Sequence, residues 1–276
     1  MSELLDKYNF KFSKSLGQNF IFDLNLLEAI CADAGIKKSD TVLEIGCGAG
    51  TLTKKLCAFS KNVIGFEIDK KLEPVLKENL KNCLNAEIIF DDFLRFPISE
   101  IKSLTKNKGF KVVANLPYYI TTPIIFKLIE SDLKIESITI MVQKEVGERI
   151  CAVPGSKDYG SLSVALQSFS NCKIMRTIKN TVFCPPPKVD SVLVKIDIDK
   201  TKLDIKDLEH FKKLYKCAFL MRRKTFLNNI IASFNYSKDK IINAFRTLNL
   251  PENIRGEALT AGQFCQLSNI LCLTQN

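Results

Sequence analysis

The sequence predicts an α/β protein in which a doubly wound, mostly parallel sheet is followed by a small C-terminal all-helical domain. Up to residue 198, short apolar runs alternate with segments of helical periodicity, which is typical of βαβ units. A glycine-rich turn joins the first apolar run directly to a helical segment, as in nucleotide-binding units. After Asp199 the apolar residues recur only at helical spacing. These observations predict two domains, residues 1–200 and residues 201–276.

Local signals predict each element of this fold. Residues 13–22 show neither a strand period nor a helix period, and we expect a loop there. Asp23 is a predicted N-cap of the first helix, which ends at Gly35. The seven predicted strands cover residues 41–45, 62–66, 86–90, 110–114, 138–142, 172–178 and 189–198. The predicted helices cover residues 24–34, 51–59, 70–82, 121–131, 144–151, 161–169, 205–220, 223–234, 237–247 and 260–272.

The composition indicates a globular protein with a basic surface. Hydrophobic residues make up 46% of the 276 positions and charged residues 25%, so a sizeable core can form. Forty lysines and arginines against thirty acidic residues give a net charge of +10. This excess favours a polyanionic partner such as nucleic acid, although a lysine-rich proteome would produce the same charge.

The ten cysteines include no Cys-x-x-Cys pair, and His210 is the single histidine, so the spacing and the ligands of a zinc site are both absent. Scattered free thiols indicate a reducing compartment. The sequence contains no apolar run long enough to cross a membrane and no apolar segment of a signal peptide near Met1. We therefore expect a soluble, cytoplasmic protein without a metal ion.

A glycine turn and two acidic positions predict the cofactor. Gly46, Gly48 and Gly50 follow the strand at 41–45 in the pattern Gly-x-Gly-x-Gly, which lets the backbone approach a ligand closely. Dinucleotide-binding folds have the third glycine one place later and hold a pyrophosphate at the helix N-terminus. The shorter turn favours S-adenosylmethionine over NAD.

Acidic side chains end the next two strands, at the edge where an adenosine would lie. Glu67 ends the second strand, and in that position a carboxylate accepts from both ribose hydroxyls. Asp91 and Asp92 end the third strand, where a carboxylate can accept from an adenine amine. Both positions therefore agree with an adenosine cofactor.

The segment Asn115-Leu116-Pro117-Tyr118 ends the fourth strand. Pro117 forces Leu116 into an extended conformation and offers no N–H donor. Asn115 and the Leu116 carbonyl can therefore accept hydrogen bonds from one amino group while Tyr118 lies against the ring that bears it. The exocyclic amine of a nucleobase has this shape. Taken alone, the four residues favour a simple turn after a buried strand, so the other motifs decide.

Six segments together resemble the rRNA adenine dimethyltransferase family, and the resemblance runs in order over nearly the whole chain. They are SLGQNF at 15–20, EIGCGAG at 44–50, Glu67, Asp92, NLPY at 115–118 and FCPPPKVDS at 183–191. The segment RRKT at 222–225 is similar to the small-subunit (16S) branch of that family. The resemblance implies a Rossmann-like class I methyltransferase sheet with seven strands and a C-terminal helical rRNA-binding domain.

The resemblance also implies roles for individual residues. Cofactor-binding residues would be Gln18, Asn19, Ile21, Gly46, Gly48, Glu67, Asp92 and Asn115. The catalytic site would comprise Asn115, Leu116, Pro117, Tyr118 and Phe183, with Tyr118 and Phe183 stacked on the two faces of the target adenine. Without the resemblance, Phe183 would be interpreted as a core residue beside a proline turn. The basic cluster Arg222, Arg223 and Lys224 is expected to contact rRNA phosphates, and the alternative is a solvated helix face.

The implied reaction is a direct displacement, in which the adenine amine attacks the sulfonium methyl group and S-adenosylhomocysteine leaves. Hydrogen bonds from the amine to Asn115 and to the Leu116 carbonyl would make the nitrogen more tetrahedral and favour the positive charge that develops on it. The methylated ammonium sheds its proton to water, so no basic side chain is needed.

The leading hypothesis is an enzyme that dimethylates two adjacent adenosines in a hairpin loop near the 3′ end of 16S rRNA, acting as a monomer on an immature small ribosomal subunit. The alternatives are a 23S rRNA adenine methyltransferase of the macrolide-resistance type and a non-catalytic ribosome-assembly factor of the same fold. The sequence departs from the family at Cys47, where proline is common, and at Tyr119, where asparagine is frequent. We expect Cys47 to alter only turn stiffness, and Tyr119 to form a second wall for the base or to pack under the loop.

Overall fold

A seven-stranded sheet is the largest element of the computed structural model, which describes residues 2–273. Including a separate two-stranded ribbon, the strands are β1 (Phe20–Ile21), β2 (Thr41–Ile45), β3 (Asn62–Phe66), β4 (Ala86–Ile89), β5 (Phe110–Asn115), β6 (Ile135–Gln143), β7 (Ser170–Ile178), β8 (Phe183–Cys184) and β9 (Ser191–Ile198). The order across the large sheet is β4-β3-β2-β5-β6-β9-β7. Neighbours from β4 to β6 run parallel, and β9 runs antiparallel to β6. The predicted seven-stranded, mostly parallel sheet is confirmed.

The strand order of this sheet reverses between β2 and β5. From β2 the chain adds β3 and β4 on one side, and it then returns to add β5 and β6 on the other side. Both central strands are buried along most of their length, as expected for parallel strands. Open α/β sheets hold ligands beyond the carboxyl ends of the strands at such a reversal. A binding site is therefore expected at the ends of β2 and β5.

The helices that accompany the sheet mostly follow the sequence signals. They are α1 (Ser2–Lys7), α2 (Leu24–Ala34), α3 (Thr51–Phe59), α4 (Glu73–Asn79), α5 (Ile98–Leu104), α6 (Thr121–Glu130) and α7 (Lys144–Ile150). Asp23 caps α2 through its side chain, and Gly35 ends α2 with a left-handed φ of 64°, as predicted. The sequence did not predict α1 or α5. Both are short, and α5 buries only Ile101, so neither shows an apolar period.

The ribbon of β1 and β8 pairs two segments that are far apart in the chain. The strands run antiparallel, with Phe20 opposite Cys184 and Ile21 opposite Phe183. The sequence predicted no strand at either place, because two residues are too few to show a strand period. The side chains of Ile21 and Phe183 are both buried in one apolar cluster, which also contains Leu27 and Val113. This pairing therefore brings the segment after β7 against the start of the chain.

Five further helices form a second compact unit. They are α8 (Ser161–Phe169), α9 (Leu208–Ala218), α10 (Phe226–Ser233), α11 (Lys238–Thr247) and α12 (Ala261–Leu273). Asp207, Thr225 and Ser237 cap α9, α10 and α11 by accepting from a backbone N–H three residues later. None of the helices in the described part of the chain is long and apolar enough to span a membrane.

The structure divides the chain differently from the predicted boundary at residue 200. One unit contains residues 1–147 and 173–198, whereas residues 148–172 join the C-terminal part, 199–276. The sequence had assigned 148–172 to the first domain, because this segment precedes two strands of the sheet. Its helix α8 instead packs against α9 and α12. The second unit is thus built from two separate stretches of chain.

Candidate active site

The glycine turn after β2 uses a backbone conformation that glycine adopts more readily than other residues. Gly46, Gly48 and Gly50 all have positive φ, at 78°, 56° and 78°. The N–H groups of Gly46 and Cys47 donate to the carbonyl of Phe66, at 2.8 and 3.1 Å. A side chain at Gly48 would lie 2.9 Å from the ring of Phe20, so that position also requires the absence of a Cβ. The turn is therefore held against the end of β3.

Cys47 fills space inside this turn. Its thiol is 4% exposed, and burial raises its pKa well above the ordinary value. A methyl group on Gly65 of the neighbouring strand would overlap the Cys47 sulfur. The side chain at position 47 thus packs against β3 as well as forming part of the turn.

Glu67 joins the glycine turn to the end of β3 through its carboxylate. One oxygen accepts from the Gly48 N–H at 2.7 Å, and the other accepts from the Asp69 N–H at 2.8 Å. The side chain is buried, and this burial raises the pKa of Glu67, while the two backbone hydrogen bonds oppose the shift. Each carboxylate oxygen can accept a second hydrogen bond, so acceptor capacity is left for a ligand hydroxyl.

Asp92 and Lys127 hold the turn that follows β4. One oxygen of Asp92 accepts from the Leu94 N–H at 2.9 Å. The ammonium group of Lys127, on α6, donates to the carbonyls of Phe93, Leu94 and Phe96 at 2.7, 3.0 and 2.5 Å. Burial lowers the pKa of Lys127, and the charge of Asp92 opposes this shift. Sequence reasoning missed Lys127, because one lysine on an amphipathic helix looks like a solvated residue.

The carboxamide of Asn115 is oriented by the N-terminal loop, residues 13–19. Its Nδ2 donates to the Asn19 carbonyl at 2.8 Å, which leaves Oδ1 as the acceptor atom. Asn19 in turn donates to the Gly17 carbonyl at 3.1 Å. Gln18 fastens the same loop, since it accepts from the Ser13 N–H at 2.7 Å and donates to Asp69 at 2.8 Å. The loop and the end of β5 are therefore linked by hydrogen bonds before any ligand is considered.

The residues after Asn115 form a tight turn. Leu116 is buried and donates its N–H to the Met141 carbonyl at 3.3 Å. Pro117 has φ −57° and ψ 131°, and its carbonyl accepts from the Thr121 hydroxyl at 3.1 Å. The hydroxyl of Tyr118 lies 2.9 Å from that of Ser191. These contacts fix the tyrosine ring beside the end of β5.

One cleft at the carboxyl ends of β2, β3 and β5 collects most of the predicted site. The predicted residues that line it are Gln18, Asn19, Gly46, Gly48, Glu67, Asp92, Asn115, Leu116, Pro117 and Tyr118. Apolar side chains such as Phe66, Phe93 and Ile124 complete the walls, together with the ring of Tyr119. The cleft combines glycine backbone, the carboxylates of Glu67, Asp91 and Asp92, and apolar surface, and this set of groups fits an uncharged ribose and a flat base.

Ile21 and Phe183 lie outside the residues that line this cleft. Their side chains are only 3% and 4% exposed, because the β1–β8 pairing buries both in the apolar cluster. From the predicted motif at 183–191, Ser191 is the residue that contacts Tyr118. The predicted arrangement of Tyr118 and Phe183 on two faces of one base therefore requires the phenylalanine ring to become uncovered.

The three predicted RNA-binding residues differ in their contacts. The guanidinium of Arg222 donates to the carbonyls of Lys157 and Tyr159, each at 3.1 Å, and lies 3.2 Å from the Glu257 carboxylate. Arg223 and Lys224 are exposed. Arg222 therefore ties together two stretches of the helical unit, whereas the next two residues present their charges to solvent.

Glu44, the first residue of the motif at 44–50, is a buried acid next to the glycine turn. It is 1% exposed and one of its carboxyl oxygens has no hydrogen-bond partner within the described residues. It lines a small cavity together with Asn115 and Met141. Burial raises the pKa of Glu44 to about 8, and the nearby charge of Glu67 adds to the shift. Within residues 2–273, no group of three or more His, Cys, Asp or Glu side chains is arranged to hold a metal ion.

The family model and the curated relatives that match this chain all describe rRNA methyltransferases. The family model described as "Ribosomal RNA adenine dimethylase" matches residues 9–272. A curated protein named ribosomal RNA small subunit methyltransferase A, from Clostridioides difficile (strain 630), is 42% identical over 271 residues, which cover 98% of this chain and 94% of that protein. The protein of the same name from Macrococcus caseolyticus (strain JCSC5402) is 44% identical over 273 residues, covering 97% and 92%.

Solved structures agree with this fold. A dimethyladenosine transferase from Plasmodium falciparum aligns with a TM-score of 0.77 and 28% identity, covering 90% of this chain and 95% of that chain. The 23S rRNA methyltransferase ErmE aligns with a TM-score of 0.71 over 92% of this chain and 100% of that chain. At 24% identity, the second likeness concerns the fold alone.

The pKa of Glu44 predicts how stability depends on pH. A carboxyl group whose pKa is raised on folding binds more protons in the folded state, so stability is lost as the pH rises from the ordinary value of 4.5 to about 8. Glu44→Gln removes this loss. We expect the difference in free energy of unfolding, variant minus wild type, to increase by about 1 kcal/mol for each pH unit as the pH rises from 6 to 8.

Urea denaturation at pH 6, 7, 8 and 9 measures this difference, and the exposed Glu136→Gln provides a matched control. Parallel pH profiles for wild type and Glu44→Gln would show that the folded protein does not protonate Glu44.

Proposed function

This chain belongs to the ribosomal RNA adenine dimethylase family, and on that premise we propose that its substrate is 16S rRNA within an immature small ribosomal subunit. It is an S-adenosylmethionine-dependent rRNA adenine dimethyltransferase. The proposed targets are two adjacent adenosines in a hairpin loop near the 3′ end of that RNA. The observation that carries this choice is the 42% identity, over 98% of the chain, with a relative named for the small subunit.

We propose that the cleft holds S-adenosylmethionine through its glycine turn and the carboxylates of Glu67 and Asp92. The Glu67 carboxylate accepts from the ribose hydroxyls, and Asp92 accepts from the adenine amine. Gly46 and Gly48 have no side chain, so the backbone can approach the ligand closely. A Cβ at Gly48 would also meet the Phe20 ring. Asn19 and Gln18 both line the cleft, and Gln18 also keeps the N-terminal loop in place through hydrogen bonds that use both ends of its amide. When bound, S-adenosylmethionine supplies an electrophilic methyl group.

The Asn115 side chain is proposed to hold the target amine. Because Nδ2 is engaged by the Asn19 carbonyl, Oδ1 is the atom that can accept an amine N–H. The Leu116 carbonyl accepts the second N–H, and Pro117 keeps that carbonyl in an extended segment. Two acceptors favour a tetrahedral nitrogen and stabilise the positive charge that develops on it during the transfer. The extra proton then passes to water.

Tyr118 is proposed to stack on the target base. Its hydroxyl contact with Ser191 fixes the ring beside Asn115, and aromatic stacking grips an unpaired base without reading its sequence. Phe183 as the second face remains a prediction, and it requires the ring, 4% exposed here, to be uncovered when RNA binds.

We propose that the protein acts in the cytoplasm as a monomer and without a metal ion. All ten cysteines are free thiols, which is the form that a reducing compartment maintains. Transfer of a methyl group to an amine held by two acceptors needs no metal-activated water. The cleft is lined entirely by residues 16–124 of one chain, so a second copy is not needed to complete it.

Incubation with labelled S-adenosylmethionine tests the choice of substrate. Immature small subunits and large-subunit rRNA are offered separately, and dimethyladenosine is mapped in each. We expect label at two adjacent adenosines near the 3′ end of 16S rRNA. Label confined to the large-subunit RNA would contradict the proposal, and tight binding to small subunits without label would identify an assembly factor.

Asn115→Ala tests the amine-binding role. We expect kcat to fall about 100- to 1000-fold, since an acceptor aimed at developing charge is lost, while the dissociation constant for S-adenosylhomocysteine changes much less. Asn115→Asp keeps an acceptor oxygen but loses the donor to Asn19, so it separates the two hydrogen bonds. Asn62→Ala, at an exposed position, is the control. Wild-type turnover in Asn115→Ala would remove this residue from the mechanism.

Arg223 and Lys224 are proposed to contact rRNA phosphates from the helical unit. Replacing both by Ala should weaken RNA binding. The plot of the logarithm of the association constant against the logarithm of the salt concentration should become less steep, with the magnitude of its slope smaller by about 1 to 2. The melting temperature should stay unchanged, because both side chains are exposed. Arg222→Ala should instead lower the melting temperature, since its guanidinium links Tyr159 to Glu257.

A filter-binding assay between 50 and 300 mM salt measures the slope, and Lys106→Ala with Lys108→Ala gives the same change in charge at exposed positions of the other unit. An unchanged slope in the Arg223 and Lys224 variant would mean that these two residues do not contact RNA.

A further inference from the structure

Tyr119 carries a large ring that is 56% exposed, although it lines the proposed cofactor cleft. It belongs to the short 3-10 turn Tyr118–Ile120 that follows Pro117. The neighbouring Tyr118 is half-buried and bonded to Ser191, so the two tyrosines have different surroundings. An aromatic ring held at the mouth of a cleft, with little core packing, offers its uncovered surface to whatever occupies the cleft.

One edge of this ring lies against the N-terminal loop. A Cβ on Gly17 would be 3.5 Å from both Cδ1 and Cε1 of Tyr119, which is ordinary van der Waals contact. Gly17 itself has a left-handed φ of 59°, so the loop approaches the ring at a place where no side chain intervenes. The ring and Gly17, which both line the cleft, therefore face each other across a gap that a methyl group would fill.

Tyr119 lines the cleft together with Glu67 and Asp92, the two carboxylates that are assigned to the adenosine. Burial and the charges of Asp92 and Glu67 together raise the pKa of Tyr119. The three residues line the same cleft. Tyr119 is thus placed on the side where the ribose and adenine would lie, which differs from the expectation that it walls the target base or packs under the loop.

We propose that Tyr119 is a cofactor-contact residue of this protein, whose ring covers the adenosine and closes the cleft against Gly17. The inference rests on the proposed cofactor site and adds a residue to it. The N-terminal loop is then joined to the end of β5 by the hydrogen bond from Asn115 to Asn19, and Gly17 of the same loop faces the Tyr119 ring.

This arrangement has a consequence for a reaction with two transfers to each base. The spent cofactor must leave and be replaced before a second methyl group can be transferred. Since the ring closes the mouth of the cleft, Tyr119 and Gly17 have to separate for this exchange. The residue therefore slows release of the bound cofactor as well as tightening its binding.

Binding of S-adenosylhomocysteine, measured by isothermal titration calorimetry, tests the inference without RNA. We expect Tyr119→Ala to raise the dissociation constant about tenfold, because a wall of the adenosine site is lost. Tyr119→Phe, which keeps the ring, should stay within about twofold of wild type. Leu84→Ala, at a position 97% exposed in the same unit, is the control for loss of a surface side chain. Melting temperatures of the free proteins verify that each variant is folded.

Surface plasmon resonance then separates the rates, and the loss in Tyr119→Ala should lie mainly in faster dissociation. Equal affinity of Tyr119→Ala and wild type would overturn the inference while leaving the cofactor site intact. Failure of the wild-type protein to bind S-adenosylhomocysteine would overturn the cofactor site itself, and the role of Tyr119 with it.

Discussion

The hydrogen bond from the Asn115 carboxamide to the Asn19 carbonyl is the interaction on which the active site depends. It joins residues that are 96 positions apart, one at the end of β5 and the other in the N-terminal loop. An amide whose donor is engaged by the protein rotates only by losing that bond. The acceptor oxygen is therefore oriented before a substrate arrives, and such preorganisation is the main source of electrostatic catalysis.

Charged side chains hold the turns that surround this amide. Glu67 holds the glycine turn, Asp92 begins the next turn, and Lys127 satisfies three carbonyls of that turn. Each group first satisfies backbone atoms that burial would otherwise leave unpaired. Glu67 and Asp92 also line the cleft and keep unused acceptor capacity, so the carboxylates that support the loops are the ones proposed to bind the cofactor.

Sequence reasoning succeeded where the signal was local. The Asp23 cap, the Gly35 stop and the three glycines with positive φ each follow from the residue at its own position. It failed where a partner distant in the chain decides the outcome. Neither the pairing of Phe20 with Cys184 nor the hydrogen bond from Arg222 to Tyr159 produces a periodic pattern in the sequence. The composition of residues 161–169 likewise does not show that this helix packs against C-terminal helices.

Cys47 and Gly65 show how a departure from a family pattern can be accommodated. The Cys47 sulfur occupies the space that a side chain at position 65 would need. The two positions are consequently coupled, so that the effect of a substitution at one depends on the residue at the other. A larger residue at position 65 of this chain would consequently require a smaller one at position 47 and a shift of Ile88 on β4, so the turn and two neighbouring strands constrain one another.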